Sequence, residues 1–159
     1  MRTAWRIATD TPTYTADDPS GTGARITGGR WNRKGTPMVY AASSIALACL
    51  ETLVHIGAGG LPLNRYLVRI DIPDDLWEAA GRLTAATAPI GWDAVPAGKV
   101  SLDAGEDWVA AGRSALLLVP SIVVPEEWNV LVNPAHAEAG RLGWGKVRRW
   151  VYDARFGGM

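Results

Sequence analysis

One cysteine, Cys49, occurs in 159 residues, so no disulfide can form within the chain. That absence fits a reducing setting, and a cytoplasmic location is expected. Net charge is missing too: Lys plus Arg and Asp plus Glu stand at 16 each. A balanced chain without a basic block lacks the electrostatic footprint of a nucleic-acid binder. The cluster Lys146, Arg148 and Arg149 reads as the solvated face of a late strand. No run approaches the ~20 apolar residues of a membrane span, and the opening Met-Arg-Thr-Ala-Trp-Arg-Ile has no apolar signal core. Metal binding is not expected, because His55 and Glu51 lack a second histidine at the spacing a zinc site needs. No Gly-x-Ser-x-Gly elbow surrounds Ser121, which argues against a hydrolase nucleophile. The glycine-rich run from Gly21 to Arg30 has neither the Gly-Lys-Ser/Thr of a phosphate loop nor the dinucleotide fingerprint, since Ile26 stands three residues after Gly23.

What is present is a globular composition, 48% hydrophobic and 20% charged, and a carboxylate in an unusual place. Glu51 lies in Ser44 to Ile56, a run apolar on nearly every side, which predicts a buried helix capped by Ser43 or Ser44 and stopped by Gly57, Gly59 and Gly60. A carboxylate there must be paired, hydrogen-bonded or neutralised, because burying a bare charge costs several kcal/mol or more. His55, four residues on, shares its helical face and either helps to satisfy Glu51 or serves the helix end. Cys49 sits among Ala48, Leu50 and Leu53 and reads as core. Upstream stand Arg30, in Gly-Gly-Arg-Trp-Asn, and Tyr40, at the end of Pro-Met-Val-Tyr. Arginine, tyrosine and glutamate are therefore expected to converge. Trp31 is the tryptophan placed to frame that site.

Around these residues the pattern predicts short strands at Trp5 to Ala8, Met38 to Ala42, Tyr66 to Ile72, Ser114 to Val119, Ile122 to Val124, Val130 to Val132 and Lys146 to Tyr152. Thr9 to Gly29 reads as a long polar loop that opens no helix. Its glycines are either a flexible turn or a close approach to a ligand that Arg30 grips. Asp74 to Ala80 reads as a short amphipathic turn, and Ser101 as the cap of a helix to about Gly112. Leu83 to Val100 carries no motif. His136, after Asn133-Pro134, has a surface or capping role. Strand clusters with helices between them argue for one α+β domain spanning 1–159.

Taken in order, Trp-Arg-Ile, Gly-Gly-Arg-Trp-Asn, Gly-x-Pro-x-Val-Tyr, Ala-Leu-Ala-x-Leu-Glu-x-Leu-Val-His, Leu-Leu-Val-Pro-Ser and Asn-x-Leu-x-Asn-Pro-x-His resemble the signature of the RES domain, from about Trp5 to Asp153. The resemblance implies an ADP-ribosyltransferase-like core of mainly antiparallel strands. It also implies a toxin that consumes NAD+ as substrate and is partnered by an Xre-type antitoxin. It places the family's arginine at Arg30, its tyrosine at Tyr40, its glutamate at Glu51 and its serine at Ser121. Arg6 corresponds to a further basic position near the NAD phosphates, and Asn133 to a motif position. On this reading Glu51, Arg30 and Tyr40 are catalytic, while Arg6, Trp31, Ser121 and Asn133 help to bind NAD+. The acceptor of ADP-ribose stays open between protein, phosphate and water. The contrasting reading is a non-catalytic nucleotide- or protein-binding module in which Arg30 and Glu51 form a structural ion pair.

Overall fold

The computed structural model describes residues 1–56 and 60–158. Seven strands form one sheet: β1 (Arg2–Ala8), β2 (Val39–Ala42), β3 (Tyr66–Ile72), β4 (Gly81–Arg82), β5 (Leu116–Pro120), β6 (Trp128–Val132) and β7 (Gly143–Arg149). Their order is β4-β5-β6-β2-β1-β3-β7. Every pairing is antiparallel except β4 with β5. Four helices complete the α+β fold: α1 (Thr22–Thr27), α2 (Ile45–Leu53), α3 (Asp74–Glu78) and α4 (Lys99–Ala111).

Alternation along the central strands divides the core in two. Val39, Ala41, Leu116, Leu118, Val130 and Val132 pack on one face with Leu76 of α3. Leu117, Val119 and Leu131 pack on the other with Trp31, Trp92 and the apolar side of α4. Next to that second cluster, Leu47, Ala48 and Cys49 of α2 pack against Ile7, Ala42 and Leu67. Asn129 is in phase with Leu131, so β6 presents a polar side chain at the end of an apolar row. Its neighbours across the ladder are Ala42 of β2 and Val119 of β5.

Several expectations need correction. The Thr9–Gly29 segment does contain a helix, α1, entered through Gly21 at φ 72°; its Gly and Thr content conceals so short an element. Ile122 to Val124 is not a strand. Its β-branched run lies between Pro120 and Pro125, and both Val123 and Val124 donate their backbone N–H to Ser121 Oγ, each at 3.1 Å. Ser101 lies inside α4, whose N-cap is Gly98. The last strand ends at Arg149, three residues before Tyr152. The two-residue β4 precedes the motif-free segment and is held in the sheet by β5.

The helix bearing Glu51 also differs from expectation. Ser44 caps it through its side chain and the cap at the other end is Val54, so Glu51 stands in the last turn. Leu50 and Val54 are exposed, which leaves α2 buried on one side only. Of the expected stop glycines, Gly57 and Gly59 lie outside the described residues.

Candidate functional site

Glu51 is half-buried, and its carboxylate is held by hydrogen bonds from two side chains. Ser121 Oγ donates to Glu51 Oε1 at 2.6 Å, and Asn129 Nδ2 donates to the same oxygen at 2.9 Å. The serine proton has no choice of direction. The two backbone N–H groups of Val123 and Val124 occupy the acceptor side of its oxygen, so the O–H points at the carboxylate. Among the described residues neither bond uses Oε2. One oxygen is anchored, and the other takes no hydrogen bond from the described residues.

Arg30, in the turn closed by the isolated bridge between Gly29 and Asn32, reaches in another direction. Its Nη1 donates to the carbonyls of Trp92 at 3.0 Å and Ala94 at 2.7 Å. The motif-free segment is thereby fastened beside the site, and Trp92 stacks on Trp31 with centroids 6.4 Å apart. Partial burial lowers the Arg30 guanidinium from its ordinary value, while the charges of Glu51 and Asp93 act to restore it. Glu51 and Arg30 thus feel each other's field, but no ion pair within 4 Å joins them among the described residues; the carboxylate's direct partners are Ser121 and Asn129. The bonds of Arg30 leave Nη2 and Nε free of protein partners among those residues.

Tyr40 props the turn that carries Arg30. Its hydroxyl accepts from the backbone N–H of Trp31 at 2.9 Å and donates to Asn32 Oδ1 at 2.7 Å. Burial pushes the phenol above its ordinary value, although these two bonds pull the other way. Asn32 is fully buried, and its amide holds the carbonyls of Ala24, Arg33 and Thr36. The turn carrying Arg30 therefore rests on the tyrosine ring and the asparagine amide. Two glycines make the fit possible. A Cβ at Gly29 would stand 2.6 Å from Tyr40 Oη, and one at Gly105 of α4 would overlap the Trp31 carbonyl.

The remaining candidates fall into two groups. Arg6 is beside the site: its Nη1 donates to the Tyr40 carbonyl at 3.3 Å, and its buried Nε has no partner among the described residues. Burial lowers its guanidinium, partly offset by Asp18. Trp31 has its ring in the core at 2% exposure, so its contribution to the site is the backbone N–H given to Tyr40. Asn133 sits at the far end of β6 from Asn129, where its Oδ1 accepts from Ala135 N. His136 Nδ1 likewise accepts from Glu138 N, a local capping contact. His55 is exposed beyond the end of α2 and makes no bond to Glu51. Burial pushes the Cys49 thiol up, away from nucleophilic use. Lys146 is tied to Asp10 at 2.8 Å and covers the Tyr66 ring, as a solvated face would.

Asn129 opens the Asn-x-Leu-x-Asn-Pro-x-His motif but is a functional candidate to which the residue patterns gave no role. The signal available was its phase: two positions before the buried Leu131, an asparagine on that side of a strand must find a polar partner. A cavity of about 670 Å³ lies elsewhere, between α4 and β4, lined by Leu83, Trp108, Ser114 and Leu117. None of Arg30, Tyr40 or Glu51 lines it. The convergence of charged and oriented groups, rather than cavity size, marks the site.

Comparison with known sequences gives the family. The family described as RES domain matches residues 3–153. A protein of Sphingobium sp. (strain YBL2) named Prs ADP-ribosylating toxin is 60% identical over 151 residues, covering 95% of this chain and 94% of its own. Two proteins named Toxin Res are 42% identical, one from Photorhabdus laumondii covering 72% of both chains. The other, from Yersinia enterocolitica, is matched over 77% of this chain and 79% of its own.

Proposed function

The chain belongs to the RES domain family, and from that membership and the geometry around Glu51 we propose that it is a toxin that cleaves the nicotinamide–ribose bond of NAD+ and passes ADP-ribose to a protein acceptor. The observation that carries the reading is the half-anchored carboxylate: Ser121 and Asn129 both bond Oε1, and Oε2 is unspent.

Breaking the glycosidic bond sends its electron pair to the cationic nicotinamide nitrogen, which leaves neutral and needs no acid. Positive charge develops on the ribose, as in glycoside cleavage. The Glu51 carboxylate, held by two donors, stabilises that charge and takes a ribose hydroxyl on Oε2. The unspent nitrogens of Arg30, with Arg6 behind Tyr40, pair with the pyrophosphate and fix its orientation. The Tyr40 ring offers nicotinamide a face, its hydroxyl being committed to Trp31 and Asn32. The acceptor's lone pair then attacks C1′ of the ribose, and its proton passes to solvent.

The name of the 60%-identical relative makes Prs the acceptor to test first. An antitoxin of the Xre type would restrain the chain by covering the Arg30–Tyr40–Glu51 site, and a partner carboxylate paired with Arg30 is one way to do so. The competing reading, a structural Arg30–Glu51 ion pair in a binding module, has no contact to support it.

The test is to incubate the pure chain with NAD+, with and without Prs, beside Glu51→Ala. Nicotinamide release, and ADP-ribose on Prs, are expected from the wild type alone. Expression without an antitoxin should deplete cellular NAD+ and stop growth, and Glu51→Ala should spare both. No nicotinamide from the wild type would overturn the reading, and equal toxicity of the two would make the poison non-catalytic.

A further inference from the structure

A second side chain decides what the Glu51 carboxylate can do. We infer that Asn129 is a positioning residue, holding the Glu51 carboxylate turned so that Oε2 faces the ligand; the inference rests on the NAD+-cleaving reading above.

Three observations converge. Asn129 is planted in the middle of the sheet, opposite Ala42 on one side and Val119 on the other, so its backbone cannot shift without disturbing two ladders. Its Nδ2 reaches Glu51 Oε1 at 2.9 Å, and the reverse orientation would set the amide carbonyl against a carboxylate. The charge of Glu51 therefore dictates which way the amide points. As a result Asn129 Oδ1 is buried with no protein partner among the described residues. An orphaned buried acceptor destabilises a fold, and an apolar residue of the same shape would avoid that cost. Packing gives no reason for an asparagine here; donation to Glu51 does.

Ser121 and Asn129 are not redundant. The serine approaches from the turn after β5, fixed by two backbone N–H groups, and the amide approaches from β6. Two donors from different directions define the plane of the carboxylate, where one would leave it free to rotate about the bond. Removing the amide should lower kcat more than it raises KM for NAD+, because the carboxylate's placement matters most when charge develops on the ribose.

Asn129→Asp tests this with a readout that packing does not move. When ionised, the new side chain cannot donate and repels Glu51; when it takes up the proton shared by the pair, it becomes a donor like the amide. The ratio of variant to wild-type kcat for nicotinamide release should be on the order of 0.01 at neutral pH and should rise on going from about pH 8 to about pH 5. Asn129→Leu should release nicotinamide about 100-fold more slowly at every pH, with Tm equal to or above that of the wild type. A pH-independent ratio for Asn129→Asp, or full kcat in Asn129→Leu, would overturn the positioning role. So would a loss in Asn129→Leu that merely follows its unfolded fraction. Wild-type protein assayed alongside separates the two ideas: absence of nicotinamide there would remove the NAD+-cleaving reading itself.

Discussion

Glu51 and Arg30 face the same site and are held in opposite ways. Glu51 is gripped by side chains: a serine hydroxyl and an asparagine amide meet one of its oxygens, and the other is unspent. Arg30 and its neighbours are gripped by the backbone and the core. Its Nη1 closes on two main-chain carbonyls, the Tyr40 hydroxyl is bonded on both sides, and the Trp31 ring is interior. The contrast teaches what each half can lose. On the Glu51 side a substitution removes chemistry and leaves the scaffold. On the Arg30 side it also removes part of the scaffold.

The sharpest way to break this comparison is Glu51→Gln. The shape is retained and the charge is lost, so nicotinamide release should fall about 1,000-fold, some 4 kcal/mol of transition-state stabilisation. Tm should change little, since a carboxamide can still accept from Ser121. Full turnover by the folded variant would make Glu51 structural and erase the contrast.

Tyr40→Phe should behave in the reverse manner. The ring remains, but the N–H of Trp31 and Oδ1 of Asn32 each lose a partner in a buried place, at a combined cost of about 2 kcal/mol or more. Denaturant unfolding should register that loss, while kcat in the folded protein falls less than for Glu51→Gln. The same residue sets a pH dependence. Its phenol is raised in the fold, so the folded state holds the proton more tightly than the unfolded chain. The stability this confers is complete below about pH 10, the unfolded value. It declines as pH rises towards the folded value. Tyr40→Phe should flatten that alkaline slope.

For Arg30→Lys the charge survives and the planar fork does not. A single ammonium cannot hold two carbonyls and also reach a phosphate in the same geometry, so turnover should drop by roughly 10- to 100-fold, with KM rising. Amide hydrogen exchange in the segment around Trp92 and Ala94 should speed up with it. Lost turnover with unchanged exchange would separate the ligand grip from the fastening; wild-type turnover would remove the grip.

The Glu51 side was half legible in the sequence. A carboxylate in an apolar run announces itself through the cost of burying charge, and the family signature supplied Ser121 as a second group. The partner on β6 stood in the last motif without a role, because an asparagine beside Trp128 reads as an ordinary strand position until the structure sets its amide against Glu51. The Arg30 side was less legible. Nothing in Leu83 to Val100 suggests that its carbonyls receive the arginine, as main-chain acceptors carry no side-chain signature. The sheet itself followed from alternation where strands are long, as in Tyr66 to Ile72. Alternation misled at Ile122 to Val124, where flanking prolines and the bonds to Ser121 favour a turn.

The smallest effect expected is also the one most at odds with spacing. His55 stands four residues after Glu51, and on a continuous helix the two side chains would meet. The helix ends first: Leu53 is its last residue, and His55 follows the cap, exposed. Glu51 meanwhile takes its hydrogen bonds from β6 and from the turn after β5, on the side where α2 meets the sheet. An imidazole on the solvent side can add only a screened charge near the helix terminus, worth a few tenths of a kcal/mol to about 1 kcal/mol. His55→Ala should therefore leave nicotinamide release within about fivefold of the wild type, at both low and high salt. A tenfold fall would show that His55 reaches Glu51 during turnover, and that the carboxylate has a third side-chain contact beyond Ser121 and Asn129.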